Sequence, residues 1–157
     1  IVELFAEYIE HGRLQLDPTA NPEAITYHDS CNLARTSGIY REPRVILQAV
    51  AQNFIEMNPH GLENYCCGGG GGLGALPEYD DKRLRAGKPK AEQIRASGAH
   101  IVAAACENCR LQLGDLNQYY ELSVKVTALA DLIVKAMRLP EKPVAMPMQI
   151  PMSVAAE

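Results

Sequence analysis

Five cysteines, Cys31, Cys66, Cys67, Cys106 and Cys109, carry most of the chemistry open to this chain of 157 residues. An odd number cannot all pair as disulfides, and thiols at motif-like spacings in a chain without a secretory signature bind metal or do redox chemistry. "CENC" (Cys106 to Cys109) has the two-residue gap that brings two sulfurs to one metal centre. "NYCCGGGGG" (Asn64 to Gly72) sets two adjacent thiols before five glycines. Four thiolates complete a tetrahedral zinc site or the ligand set of one cubane iron–sulfur cluster, so a fifth is surplus to both. Adjacent cysteines rarely aim both sulfurs at one ion, yet they can serve two metals of a larger cluster. Five converging thiolates favour an iron–sulfur assembly over a single zinc, and they also allow an open site with a reactive thiol. Glycines beside such a cluster let backbone come close and offer N–H groups to the sulfurs, one lever on reduction potential.

Two other readings of these motifs are weaker. Gly69, Gly71 and Gly74 match G-x-G-x-x-G, but any glycine run does, and the dinucleotide motif needs a strand immediately before it where this chain has two cysteines. A thioredoxin-like role for "CENC" is opposed by Glu107, whose charge disfavours a neighbouring thiolate.

Convergence requires that the elements preceding the thiols end on one side of the molecule. Ile1 to Leu16 has helical spacing through Val2, Phe5, Ala6 and Ile9, followed by a linker at Asp17-Pro18 and Asn21-Pro22. "ITYH" (Ile25 to His28) reads as a strand, Pro43 to Gln52 as a helix, and "FIEM" (Phe54 to Met57) as a second strand closed by the turn Asn58 to Gly61. Asp80 to Ser97 is helix-prone, broken near Gly87 and restarted near Pro89, with Gly98 as cap. "AHIVAAAC" (Ala99 to Cys106) reads as a buried strand, Cys106 to Tyr120 as a helix and "VKVTA" (Val124 to Ala128) as a further strand. Thr127 is placed to cap a last helix through Met137. Strands alternating with helices predict an α/β fold, a largely parallel sheet with flanking helices, in which each cysteine group follows a strand. The carboxyl ends of parallel strands share one edge, where such folds build ligand sites. The expected division is an N-terminal helix and linker (1–24), a cysteine-rich domain (25–138) and a Pro-rich extended tail (139–157).

The spacing is itself distinctive: 34 residues separate Cys31 from Cys66, and 38 separate Cys67 from Cys106. With "TYHDSCNLAR", "NYCCGGGGG" and "CENCRLQL", it resembles the CCG cysteine-rich domain of heterodisulfide-reductase-like proteins. Within that family the resemblance is to catalytic iron–sulfur subunits of the membrane complex associated with dissimilatory sulfite reductase. Ser30 stands where that pattern has Pro. The resemblance implies a non-cubane 4Fe-4S centre held by Cys31, Cys66, Cys67, Cys106 and Cys109, at which a disulfide or trisulfide is cleaved in two one-electron steps. It also implies partners: a ferredoxin-like N-terminal region of the same subunit, a membrane quinol-oxidising subunit, and a small cysteine-bearing sulfur-carrier protein as substrate. On this basis a cytoplasmic domain, held peripherally at the membrane by its partners, is expected, and the start at Ile1 reads as that of a fragment. The alternatives are the iron–sulfur subunit of a flavin-linked 2-hydroxyacid oxidase and a structural zinc module. His28 leads the candidates for protonating a leaving thiolate, followed by Tyr27 and His100, since histidine titrates near neutrality. Arg35 and Arg110 read as solvated, with offsetting of cluster charge as the sharper alternative.

Composition limits the rest. A formal charge of −4 gives no basic footprint for nucleic acid, and no apolar run approaches the roughly 20 residues of a membrane span.

Overall fold

The structure is a computed structural model and describes residues 1–139, so the expected Pro-rich tail lies, but for Leu139, outside the described residues. Strands β1 (Ala24–His28), β2 (Asn53–Phe54), β3 (Ile101–Ala104) and β4 (Lys125–Ala128) form one parallel sheet in the order β2-β1-β3-β4. Helices α1 (Val2–Glu10), α2 (Glu42–Val50) and α6 (Leu129–Ala136) pack on one face, and α3 (Asp80–Ala86), α4 (Lys88–Ser97) and α5 (Glu107–Tyr119) on the other.

The two faces follow from the period of two along a strand. Ile25 and Tyr27 of β1 and Ile101 and Ala103 of β3 join Val2, Ala6, Ile46, Leu47, Leu132 and Ile133 in one buried cluster. Val102 and Ala104 join Ile94, Leu113, Leu116, Cys67 and Cys109 in the other. Thr26 and His28, both without exposed surface, alternate with Ile25 and Tyr27 and so face the cysteine side. Strand β1 has β2 on one side and β3 on the other, and β1 and β3 end side by side, with His28 opposite Ala104. The chain departs in opposite directions across the sheet from this pair, and that is where open α/β sheets leave a crevice.

Several boundaries differ from the sequence reading. Helix α1 stops at Glu10, because Gly12 takes a left-handed conformation (φ 65°), and the chain turns back so that Leu16 bridges Met137. Strand β2 covers Asn53–Phe54 and not "FIEM": the chain leaves the sheet edge where Glu56 pairs with Arg44 and Met57 drops into the cysteine-side core. Thr127 does not cap α6; Asp131 accepts from the Ala128 N–H and from the Thr127 hydroxyl, both at 3.1 Å. Helix α4 starts at Lys88 and closes at Gly98, close to expectation. A short π-helical segment, Asn32–Thr36, begins directly after Cys31. Such wide turns often occur at functional sites.

Candidate metal centre

The loop after β1 delivers the first thiol. His28, Asp29 and Ser30 are all buried, and Cys31, half-buried, opens the π-helical segment. Asp29 fixes this exit: its carboxylate pairs with Arg44, accepts from the Gly61 N–H at 2.7 Å, and through Arg44 is tied to Glu56. Asn64 donates to the Gly61 carbonyl at 2.6 Å, so the turn before Cys66 is anchored to the turn before Cys31. Arg35 closes the bracket by donating to the carbonyls of Leu62, at 3.0 Å, and Asn64. It is therefore a clamp between the first two cysteine segments and not the freely solvated arginine read from sequence.

Cys66 and Cys67 sit where glycine is sterically required. A Cβ on Gly68 (φ 89°) would lie 2.7 Å from the Arg83 carbonyl oxygen, and one on Gly69 would lie 2.7 Å from the Gln112 Cβ. Gly87 faces the Cys67 carbonyl oxygen in the same way, at 2.6 Å. The backbone carrying Cys67 thus lies against α3 and α5 with no room for side chains between. The Gly68 N–H donates to the Cys66 sulfur at 3.3 Å, the contact expected of backbone beside a thiolate site. Gly70 to Gly72 and Gly74 instead open onto solvent, and Gly72 and Gly74, with Asn108, Leu111 and Gln112, border a cleft of about 280 Å³.

The last two thiols come from α5. Cys106 occupies its N-cap position and Cys109 its first turn, as follows from a helix starting right after β3 at the same sheet edge. Cys109 and Cys67 are buried, Cys31 and Cys106 are half-buried, Cys66 is exposed, and all five are free thiols. Cys31, Cys66, Cys67 and Cys109 lie close enough, in that order, for each to shift the ionisation of the next. Cys106 packs against the same buried cluster as Cys67 and Cys109. A ring nitrogen of His28 and the sulfurs of Cys67 and Cys109 all lie within 4.8 Å of one another.

Burial and neighbouring thiols hold these groups in uncharged forms. Burial pushes the Cys31 thiol up, the neighbouring Cys67 thiol pushes Cys66 up, and the nearby Cys109 thiol pushes Cys67 up to about 11. Burial holds His28 well below its usual value, with Lys90 and Arg35 adding to the effect. Neither ring nitrogen of His28 has a hydrogen-bond partner. Orphaned nitrogens and clustered soft sulfurs fit a thiophilic metal or cluster, which would replace the thiol protons on binding.

Two other candidates lie elsewhere. His100 precedes β3 at the opposite sheet edge, where its N–H bonds the Ala24 carbonyl, and Tyr27 belongs to the core on the far face. Arg110 pairs with Glu107 on the first turn of α5. The sequence reading missed Asp29, Asn64 and Lys90. Lys90 is 1% exposed and stands beside the cysteines, on the apolar stripe of α4 one turn before Ile94, a position that was the one signal of its burial.

The model of the CCG cysteine-rich domain matches residues 25–114, more than half of the chain. The chain belongs to that family. Among proteins similar to this CCG domain is an Hdr-like menaquinol oxidoreductase iron-sulfur subunit 2 of Archaeoglobus fulgidus, 33% identical over 144 residues, which are 87% of this chain and 26% of that protein. A dihydromethanophenazine:CoB–CoM heterodisulfide reductase subunit of Methanosarcina barkeri is 28% identical over 141 residues, 88% of this chain and 34% of that protein. A fumarate reductase (CoM/CoB) subunit of Methanothermobacter marburgensis is 38% identical over 112 residues, 69% of this chain and 22% of that protein. The CCG chain thus spans about a quarter to a third of the first two relatives and less of the third. These relatives are oxidoreductase subunits. No helix among the described residues is long and apolar enough to cross a membrane.

Proposed function

We propose that Cys31, Cys66, Cys67, Cys106 and Cys109 hold an iron–sulfur cluster of non-cubane 4Fe-4S type, and that this domain is the redox centre of an Hdr-like oxidoreductase acting on a disulfide or trisulfide. The observation that carries the reading is the gathering of free thiols at the carboxyl edge of β1 and β3: Cys67 and Cys109 within 4.8 Å of each other and of a His28 nitrogen, Cys106 in the same cluster, and Cys31 and Cys66 beside them. When bound, such a cluster delivers electrons one at a time, so that two deliveries reduce one S–S bond to two thiols with uptake of two protons.

The chain's own residues divide the remaining work. Buried Cys67 and Cys109 keep water from the inner end, while exposed Cys66 and the open glycines give a substrate sulfur its approach. The Gly68 N–H steadies the Cys66 thiolate. Buried His28 stays neutral, with a ring nitrogen within 4.8 Å of the Cys67 and Cys109 sulfurs; the protons that complete the product thiols enter from solvent at the Cys66 rim. The likeness to catalytic subunits of the sulfite-reductase-associated membrane complex belongs to the same proposal: electrons arriving through a ferredoxin-like region of the subunit from a quinol-oxidising membrane partner, and a small sulfur-carrier protein as substrate.

Metal analysis of anaerobically purified protein tests this. Iron and sulfide at about four each per site, falling sharply in both Cys66→Ser and Cys106→Ser, are the expected results. Stoichiometric zinc in a colourless protein sinks the redox reading, and iron unchanged in both variants sinks the ligand set. Co-purification of a flavoprotein in place of a cysteine-bearing carrier would move the substrate to a 2-hydroxyacid.

A further inference from the structure

Lys90 is 1% exposed, and lysine is almost never that buried without an acidic partner. Its ammonium bonds the Gln93 side-chain oxygen at 2.6 Å and the Met57 sulfur at 3.6 Å, both neutral groups. Gln93 is itself oriented for this, since its amide nitrogen donates to the Pro59 carbonyl at 2.9 Å. Asp29, the acid that most favours the charge of Lys90, already gives its oxygens to Arg44 and to the Gly61 N–H. The neutral His28 ring and several sulfurs complete the surroundings: Met57, which the ammonium touches, packs in one buried cluster with Cys67 and Cys109, and Cys67, Cys31 and Cys66 each favour the charged form of Lys90 once they are thiolates. With all five thiols protonated, the acid facing the ammonium is Asp29, whose charge is already shared with Arg44, so the buried cation is only partly offset.

We propose that Lys90 is the built-in counter-charge of the thiolate-held cluster, a positioning residue that keeps the assembly in place and raises its reduction potential. This rests on the cluster reading above and adds to it a residue outside the ligand set. A fixed positive charge in a water-poor site stabilises the more negative, reduced state. Because Lys90 is buried, dissolved salt screens the effect little. The helix places the charge accurately: Ala91 and Ile94, buried on the same stripe of α4, lock it against the cysteine side of the sheet.

The experiment uses the full chain, purified anaerobically, with iron counted first and the midpoint then followed by electron paramagnetic resonance during redox titration. In Lys90→Met, which keeps length and removes charge, the reduced-to-oxidised ratio at a fixed potential should fall about tenfold, equivalent to ~59 mV for a one-electron couple. Lys90→Arg should restore most of it, and the shift should persist at high salt. Iron loss in Lys90→Met with retention in Lys90→Arg supports the proposal equally. An unchanged midpoint in Lys90→Met overturns it. So do equal shifts in both variants, or iron loss from both while their circular dichroism stays that of the parent. Wild-type protein without iron instead overturns the cluster reading itself.

Discussion

Lys90 also makes a prediction for the metal-free protein, with the opposite sign of effect. Burial lowers its pKa from 10.5 to about 8, so the stability it contributes is present above pH 10.5 and is lost as pH falls through about 8. At neutral pH the metal-free fold therefore carries an ammonium whose burial Asp29 only partly offsets, and Lys90→Met should stabilise it by ~2–3 kcal/mol. Chemical denaturation of the two metal-free proteins at pH 7 and again above pH 10 checks this: the gap should close at the higher pH. Cys31, Cys66 and Cys67 behave as weakened acids. Because their protons are held more tightly than usual, iron loading should weaken as pH falls and release protons as it proceeds, measurable by calorimetry in two buffers of different ionisation enthalpy. The cysteines were legible in the sequence because their spacing has few other uses. Lys90 was not, because a lysine in a charged helical run is ordinarily solvated, and its burial depends on where α4 meets the sheet.

At the scale of elements, the glycine run divides into two parts with different tasks. Gly69→Ala should cost about 1–3 kcal/mol and lower the iron content, since the new methyl meets the Gln112 Cβ and shifts the Cys67 backbone. Gly70→Ala meets open space at an ordinary φ, and should be neutral or stabilising by up to ~1 kcal/mol with iron retained. Thermal melts and iron assays on the pair separate the two roles. Arg44→Ala should cost about 3–5 kcal/mol, because it leaves Asp29, 2% exposed, as an unpaired buried carboxylate and frees the turn that leads to Cys66. Alternation of strands and helices and the strand-then-cysteine order could be read directly from hydrophobic periodicity. The end of β2 could not, since it depends on long-range contacts of the chain beyond Phe54, where Glu56 pairs with Arg44 and Met57 enters the cysteine-side core. For the same reason "ITYH" read as a strand without disclosing that Thr26 and His28 face the site.

Across the whole molecule, the two apolar layers hold the sheet independently of any metal, while the thiol edge gathers segments from three crossings of the chain. Chelation under reducing conditions should therefore lower the melting temperature without unfolding the protein, and should speed proteolytic cleavage first at the open glycines. Circular dichroism retained after chelation, together with cleavage confined to residues 70–74, is the expected outcome.

The adjacency of β1 and β3 has one more consequence, for the order of events during folding. These strands are neighbours in space but are separated in the chain by α2, β2, α3 and α4, so their pairing is a late, long-range step. Until it is complete, Cys31 and Cys109 belong to different parts of an unfinished chain, and no complete pocket of sulfur exists. A zinc finger is nucleated by its ion, whereas this fold must first succeed on hydrophobic burial alone. The proposed cluster would then be accepted only by chains whose central strands have already found each other.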